Sequence, residues 1–209
     1  EIFALAVKNH QQNNLKVAEK LYKKILKKNP KHANAHNNLG VLFEQLGQSQ
    51  QAISYFKKAI ETNPNYADAY YNLGKIFNGL NEIQQAIGCY KKAIQINPNY
   101  ADVHNNLGVI FKDLGEHQKA ISCYEKAIQI NPNYVNAYNN LGTILGELNH
   151  VNEAKKNFDK SLNLNPNNKK TYEGYGNILL KLNQHAKALA YIKKGTGFIR
   201  FTQEDFKII

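Results

Sequence analysis

Methionine is absent from this 209-residue chain, the initiator included, so the chain reads as a fragment of a longer protein. Cysteine is nearly absent. Two residues exclude a disulfide scaffold and make a reducing, cytoplasmic compartment the expectation. No run approaches the ~18 consecutive apolar residues of a spanning helix, and the mean hydropathy is −0.56, so no membrane association is expected. The N-terminus lacks the basic, apolar, small-residue order of a secretory signal. Nothing in the sequence pairs a nucleophile with a base or sets two carboxylates in a pocket. No enzyme and no cofactor is expected in this chain.

Acidic residues are short in number, and unevenly so. The formal net charge is +11. Residues 1–32 hold eight lysines against Glu1 and Glu19, and residues 169–209 hold eight basic residues against Glu173, Glu204 and Asp205. The middle of the chain is neutral, so the basicity belongs to the two ends. What is abundant is asparagine, 30 residues of 209. Asparagine is a poor helix former that competes for backbone hydrogen bonds, so a chain rich in it must use it at fixed places.

Proline is scarce, and its few copies reveal the organisation. Pro30, Pro64, Pro98, Pro132 and Pro166 follow one another at intervals of 34 residues. Gly40, Gly74, Gly108, Gly142 and Gly176 keep the same phase, as do Ala18, Ala52, Ala86, Ala120, Ala154 and Ala188. Within the period 67–100, Tyr70, Leu73, Gly74, Phe77 and Leu80 recur at three-and-four spacing, which predicts a helix over 67–80. Asn81 interrupts it, as Gly47, Gly115, Asn149 and Asn183 do elsewhere. Glycine and asparagine accept left-handed backbone and so close a helix. A second apolar face (Ile83, Ala86, Ile87, Tyr90, Ala93, Ile94) runs until Asn97-Pro98-Asn99, where proline disfavours helix in the residue before it. Gly74 and Ala86 are expected to let the paired backbones approach, with Tyr70, Leu73, Phe77 and Tyr90 filling the layer between. One pair cannot bury its own faces, so neighbours must stack. The expected fold is all-α: a right-handed α-solenoid superhelix of antiparallel helix pairs. Its repeats are about 1–32, 33–66, 67–100, 101–134, 135–168 and 169–195, followed by a tail over 196–209.

These columns resemble the tetratricopeptide repeat (TPR) family, whose pattern stands here as Tyr70, Leu73-Gly74, Phe77, Ala86, Tyr90, Ala93 and Pro98. The match is nearly column for column over 33–168 and weakens at both ends. Ile25 stands where alanine is expected, Tyr175 replaces leucine, Ile192 replaces the aromatic, and Gly195 replaces alanine. Divergent terminal repeats are expected where they cap a stack.

The resemblance implies that the first helix of each pair lines an inner, concave wall. The residue before each core leucine then points inward: Asn38, Asn72, Asn106 and Asn140, with Gly174 in the last repeat. One turn earlier stand Asn34, Asp68, Asp102 and Asn136, and beside the first column Asn37, Tyr71, Asn105 and Asn139. A carboxamide both donates and accepts, so it can pair with a peptide N–H and C=O together. Inner helices about 8–10 Å apart would meet an extended chain, rising roughly 3.3–3.6 Å per residue, at about every third residue. The aspartates would select basic or hydroxyl side chains. The plain alternative is that asparagine is merely tolerated on a wet wall. Against it, alanine, glutamate or lysine would make the better helix. The column, with the run Ala67-Asp68-Ala69-Tyr70-Tyr71-Asn72-Leu73-Gly74, is similar to the repeat domain of O-linked N-acetylglucosamine transferases. There an asparagine ladder holds the acceptor protein's backbone. That likeness implies a peptide-binding, substrate-recruiting part of a larger protein. The family's two-carboxylate clamp needs lysine and arginine on the inner helices, where this chain has asparagine and aspartate.

Other partners are weighed against this one. A structural scaffold would join copies of itself, or other proteins, through its terminal repeats and outer faces. Nucleic acid would use the stripe Lys16, Lys20, Lys23, Lys24, Lys27, Lys28 and Lys31. That stripe lies opposite Ala18, Tyr22, Ile25 and Leu26, on an outer helix, and reads as solvated surface. His32 and His36 have ligand spacing, but His36 shares a packing column with Tyr70, His104 and Tyr138, so no metal is expected. Gly195-Thr196-Gly197 reads as a helix end. The tail either caps the last repeat or begins a second domain. Its Gly197-Phe198-Ile199-Arg200-Phe201 run is similar to the junction in bacterial repeat proteins that end in a 2-oxoglutarate, iron-dependent oxygenase.

Overall fold

The turn residues punctuate the chain as their chemistry demands. In the computed structural model, which describes residues 1–196, all regular structure among those residues is helical. The helices are α1 (Ile2–Gln11), α2 (Leu15–Lys28), α3 (Ala33–Gln45), α4 (Ser49–Thr62), α5 (Ala67–Gly79), α6 (Ile83–Ile96), α7 (Ala101–Asp113), α8 (His117–Ile130), α9 (Val135–Glu147), α10 (Val151–Leu164), α11 (Lys169–Lys181) and α12 (His185–Thr196). Each first helix ends on a left-handed residue: Asn13, Gly47, Asn81, Gly115, Asn149 and Asn183, with φ between 58° and 74°. At Asn81 the following Glu82 N–H reaches back to the Phe77 carbonyl at 2.8 Å, which satisfies an end carbonyl and reverses the chain. Leu80, expected on the buried face, is instead 40% exposed. It sits at the C-cap, where the backbone has left the helix.

The turns back into each next repeat explain a second set of asparagines. The side chain of the residue before each proline accepts from the backbone N–H two residues on, in Asn29, Asn63, Asn97, Asn131 and Asn165, at 3.1–3.2 Å. This is the Asx turn that a short carboxamide makes readily.

The chain divides into two compact units, Glu1–Val103 and the residues from His104 on. In the first, α1 packs on α2, α3 on α4 and α5 on α6, with α2 against α3 and α4 against α5. In the second, α9 packs on α10 and α11 on α12, with α8 against α9 and α10 against α11. The architecture is an all-α solenoid of stacked antiparallel helix pairs.

One column of second-helix residues fills the core: Tyr22, Phe56, Tyr90, Tyr124, Phe158 and Ile192, none more than 1% exposed. The periodic glycines make room for it. A Cβ on Gly74 would lie 2.6 Å from the Tyr90 ring, and one on Gly40 2.5 Å from Phe56. The space opened by Gly74 is thus taken by the Tyr90 ring of the paired helix, with the Cys89 Cβ 3.3 Å away. Gly195 stands next to Thr196, the last residue of α12, within the run where the sequence places a helix end. There a Cβ would sit 2.9 Å from the Lys169 carbonyl oxygen, so glycine permits close contact with α11. Both roles expected for the tail fall on residues outside those described.

Candidate functional site on the first helices

The asparagines of the first helices are bonded to one another, and this changes how they can act. In the first unit, Asn72 Nδ2 on α5 donates to Asn37 Oδ1 on α3 at 3.2 Å. Asn37 Nδ2 donates to Asn38 Oδ1 at 3.4 Å, and Asn38 Nδ2 to the Tyr22 hydroxyl at 3.2 Å. That hydroxyl lies 3.4 Å from His10 Nδ1, and His10 Nε2 lies 3.2 Å from Gln45 Oε1. Because Tyr22 accepts from Asn38, its own proton is left for His10. In the second unit the bond recurs: Asn140 Nδ2 on α9 donates to Asn105 Oδ1 on α7 at 3.0 Å. Asn105 and Asn139 each donate to the following asparagine, at 3.3 and 3.5 Å.

The twelve residues expected to face a ligand therefore separate by depth. Asn37, Asn105 and Asn139 are buried, at 6%, 6% and 8% exposure; the first two accept the ties between helices, whereas Asn139 donates within α9 to Asn140. Tyr71 is half-buried, its ring 5.1 Å from that of Tyr100. Asn38, Asn72, Asn106 and Asn140 are partly exposed, and Asn34, Asp68, Asp102 and Asn136 are exposed. Asn72 spends one N–H on its tie. A carboxamide carries two N–H groups and an oxygen with two lone pairs, so capacity for a ligand remains. Asp68 is engaged with a neighbour: burial and a hydrogen bond to Asp68 push the Tyr100 phenol above its ordinary value. Lys75 on α5 pairs with Glu44 on α3 at 3.0 Å and lies 5.6 Å over the Tyr71 ring. The His10–Tyr22–Asn38 relay was not foreseen. His10 gave no periodic signal that sequence alone could use.

In the second unit the same face opens into a cavity of about 280 Å³ across α7, α9 and α11. Lys112, Asn139, Asn140, Thr143, Lys170 and Asn177 line it, with Glu173 and Gly174. The other candidates resolve differently. His32 accepts from the Ala35 N–H, and His36 Nε2 bonds the Pro30 carbonyl at 2.8 Å, so each serves its own turn. No group of three or more histidine, cysteine or acidic side chains that could hold a metal occurs among the described residues. The seven lysines from Lys16 to Lys31 are all exposed. No helix among the described residues is long and apolar enough to cross a membrane.

Cys89 and Cys123 are unpaired and half-buried. Burial pushes each thiol up to about 11, the nearby Lys57 charge opposing it slightly at Cys89. The thiolate is the reactive form. Alkylation by iodoacetamide at neutral pH is therefore expected to be at least tenfold slower in the folded chain than in urea. Mass spectrometry of timed samples checks it; equal rates would contradict the burial described.

A stack of helix pairs with a polar face on its first helices defines a repeat scaffold for protein interaction, without a metal cluster among the described residues. Family models described as tetratricopeptide repeat match residues 33–66 and 101–134, and 55–88, 123–156 and 157–190; one described as TPR repeat matches 74–115. The crystal structure of MamA is 34% identical, with a TM-score of 0.68 over 76% of this chain and 93% of that one. The chain belongs to the tetratricopeptide repeat family. PilF of Pseudomonas aeruginosa shares the fold at 20% identity and a TM-score of 0.83, over 91% of this chain and 86% of its own. YrrB, a TPR protein with an unusual peptide-binding site, shares it at 21% identity and a TM-score of 0.69, over 84% and 91%. No curated protein matches the chain.

Proposed function

We propose that the chain captures an extended polypeptide segment along its first helices and serves as the substrate-recruiting part of a larger protein. The observation that carries this is the state of Asn72 and Asn140. Each is held by a bond to the neighbouring repeat, yet each is partly exposed and has hydrogen-bonding capacity left. A fixed carboxamide has already lost its rotamer freedom, so a ligand need not order it. Exposed Asn34 and Asn136, one turn away, extend the contact. Backbone pairing of this kind holds a segment in register while reading little of its sequence. The likeness to O-linked N-acetylglucosamine transferase repeats rests on this column and the run from Ala67 to Gly74.

The scaffold reading has one observation of its own. Leu5 stands in the column of Leu39, Leu73, Leu107 and Leu141, which are at most 6% exposed, but is itself 50% exposed. Apolar surface is thus open on the first helix pair.

The two readings part in one experiment. Peptides are selected by display against the whole chain, and their affinity is then measured for Asn140→Ala and Asn136→Ala. One lost hydrogen bond nets roughly 0.5–1.5 kcal/mol, so each variant is expected to bind about two- to tenfold more weakly. Asn136→Ala, which cuts no tie between helices, should do so with an unchanged melting temperature. Unchanged affinity in both, with mass in light scattering that rises with concentration, would replace peptide capture by the scaffold.

A further inference from the structure

The ladder is broken at one place, and the break has a chemistry. Asn37 Oδ1 is satisfied by Asn72, and Asn105 Oδ1 by Asn140, from the equivalent position of the next first helix. The third buried asparagine of that column, Asn139, would be satisfied in the same way from position 174. That residue is glycine. Asn139 is 8% exposed and its Oδ1 has no hydrogen-bond partner among the described residues. A buried acceptor without a donor costs on the order of 1–3 kcal/mol. Asn139 itself lines the cavity shared with Lys112, Thr143, Lys170 and Asn177, to which Gly174 brings no side chain.

We propose that this vacant rung is a recognition pocket for a primary carboxamide, the end of an asparagine or glutamine side chain of the bound segment. The ligand's N–H would stand where Asn72 Nδ2 stands relative to Asn37, donating to Asn139 Oδ1. Its carbonyl oxygen has donors on the same wall: the Asn177 amide and the ammonium groups of Lys112 and Lys170, the Thr143 hydroxyl being spent on the Asn139 backbone carbonyl at 2.9 Å. A carboxylate would satisfy the lysines but offers no hydrogen to Asn139. A ketone of the same shape fails likewise. The depth of the acceptor favours the tip of a side chain over a backbone peptide, which must bring a Cα on each side. Lys170 and Glu173, which also line the cavity, are long, exposed side chains that can move aside. The pocket would thereby add sequence selectivity to a groove that otherwise grips main chain. It rests on the proposed function only for the ligand's being part of a polypeptide.

The test uses the whole chain, isotopically labelled, titrated with propionamide, propionate and 2-butanone while the amide resonances of Asn139, Gly174 and Asn177 are followed. Saturable shifts with propionamide are expected, with about tenfold weaker response to the other two, the worth of one hydrogen bond to a buried acceptor. Gly174→Asn should fill the rung and abolish the response. Gly174→Ala, whose Cβ meets the same Phe158 ring at 3.0 Å but brings no amide, should retain it. Equal response to all three probes, no response at these residues, or equal loss in both variants would overturn the proposal. If the probe fails while displayed peptides still depend on Asn140 and Asn136, the pocket is refuted and the groove stands.

Discussion

Phe158→Ala is expected to destabilise the chain by about 3–5 kcal/mol, the range for aromatic truncation in a core. The ring is 0% exposed and stacks on Tyr175 with centroids 5.5 Å apart and planes at 22°. It also lies against two glycines: a Cβ on Gly142 would come within 2.9 Å of it, and one on Gly174 within 3.0 Å. The cost of such a substitution depends on how far the surroundings collapse. Here they collapse little, because the glycines have no side chains to lean into the hole. Ala154, Ile178, Leu179 and Ala188 complete the cluster around it. In a repeat array, stability is approximately a sum of local terms. The loss should therefore show as faster hydrogen exchange through α9 to α12, with α3 and α4 less affected. Urea unfolding gives the total and exchange mass spectrometry the distribution. A loss below about 1 kcal/mol, or a uniform one, would contradict the packing described.

The fold was legible because it is written several times over. Prolines in one phase and small residues in two more specify helix, turn and helix before any side chain is placed, and a period of this kind admits little but a stack. The left-handed turns followed from Asn81, Asn149 and Asn183 as residue types. The divergent Tyr175 and Ile192 kept their columns in the core, at 2% and 0% exposure. The site was legible in position but not in state. Neighbouring asparagines at 37 and 38 look alike in sequence, and helix periodicity places them only to within a third of a turn. Burial of one and partial exposure of the other depend on the next repeat, which the pattern within one repeat does not encode. The same holds for the hydrogen bond from Asn72 to Asn37, made across 35 positions. Asparagine's abundance also concealed three tasks under one letter: the left-handed turns, the Asx turns before proline and the ladder.

The ladder bond itself gives the second large effect. Asn72→Ala removes the only donor that Asn37 Oδ1 has among the described residues, leaving an acceptor 6% exposed with nothing to bond. The expected cost is about 1–3 kcal/mol, more than the net worth of the bond, because the stranded group has lost water as well. Asn37→Leu in the wild-type background loses its bond too, but Asn72 is partly exposed and water can replace the partner. The double variant strands nothing in the core, since leucine has no polar atom there. It should be more stable than the two single losses added together, with a coupling of roughly 0.5–3 kcal/mol measured by urea unfolding of all four proteins. Simple additivity would mean that the two amides act independently and that asparagine is only tolerated on this wall. Coupling gives the column a structural task, and the affinity of displayed peptides for the double variant then isolates the binding task. A chain that is restored in stability yet weakened in peptide affinity has lost a ligand contact at Asn72, and not merely the scaffold that positions it.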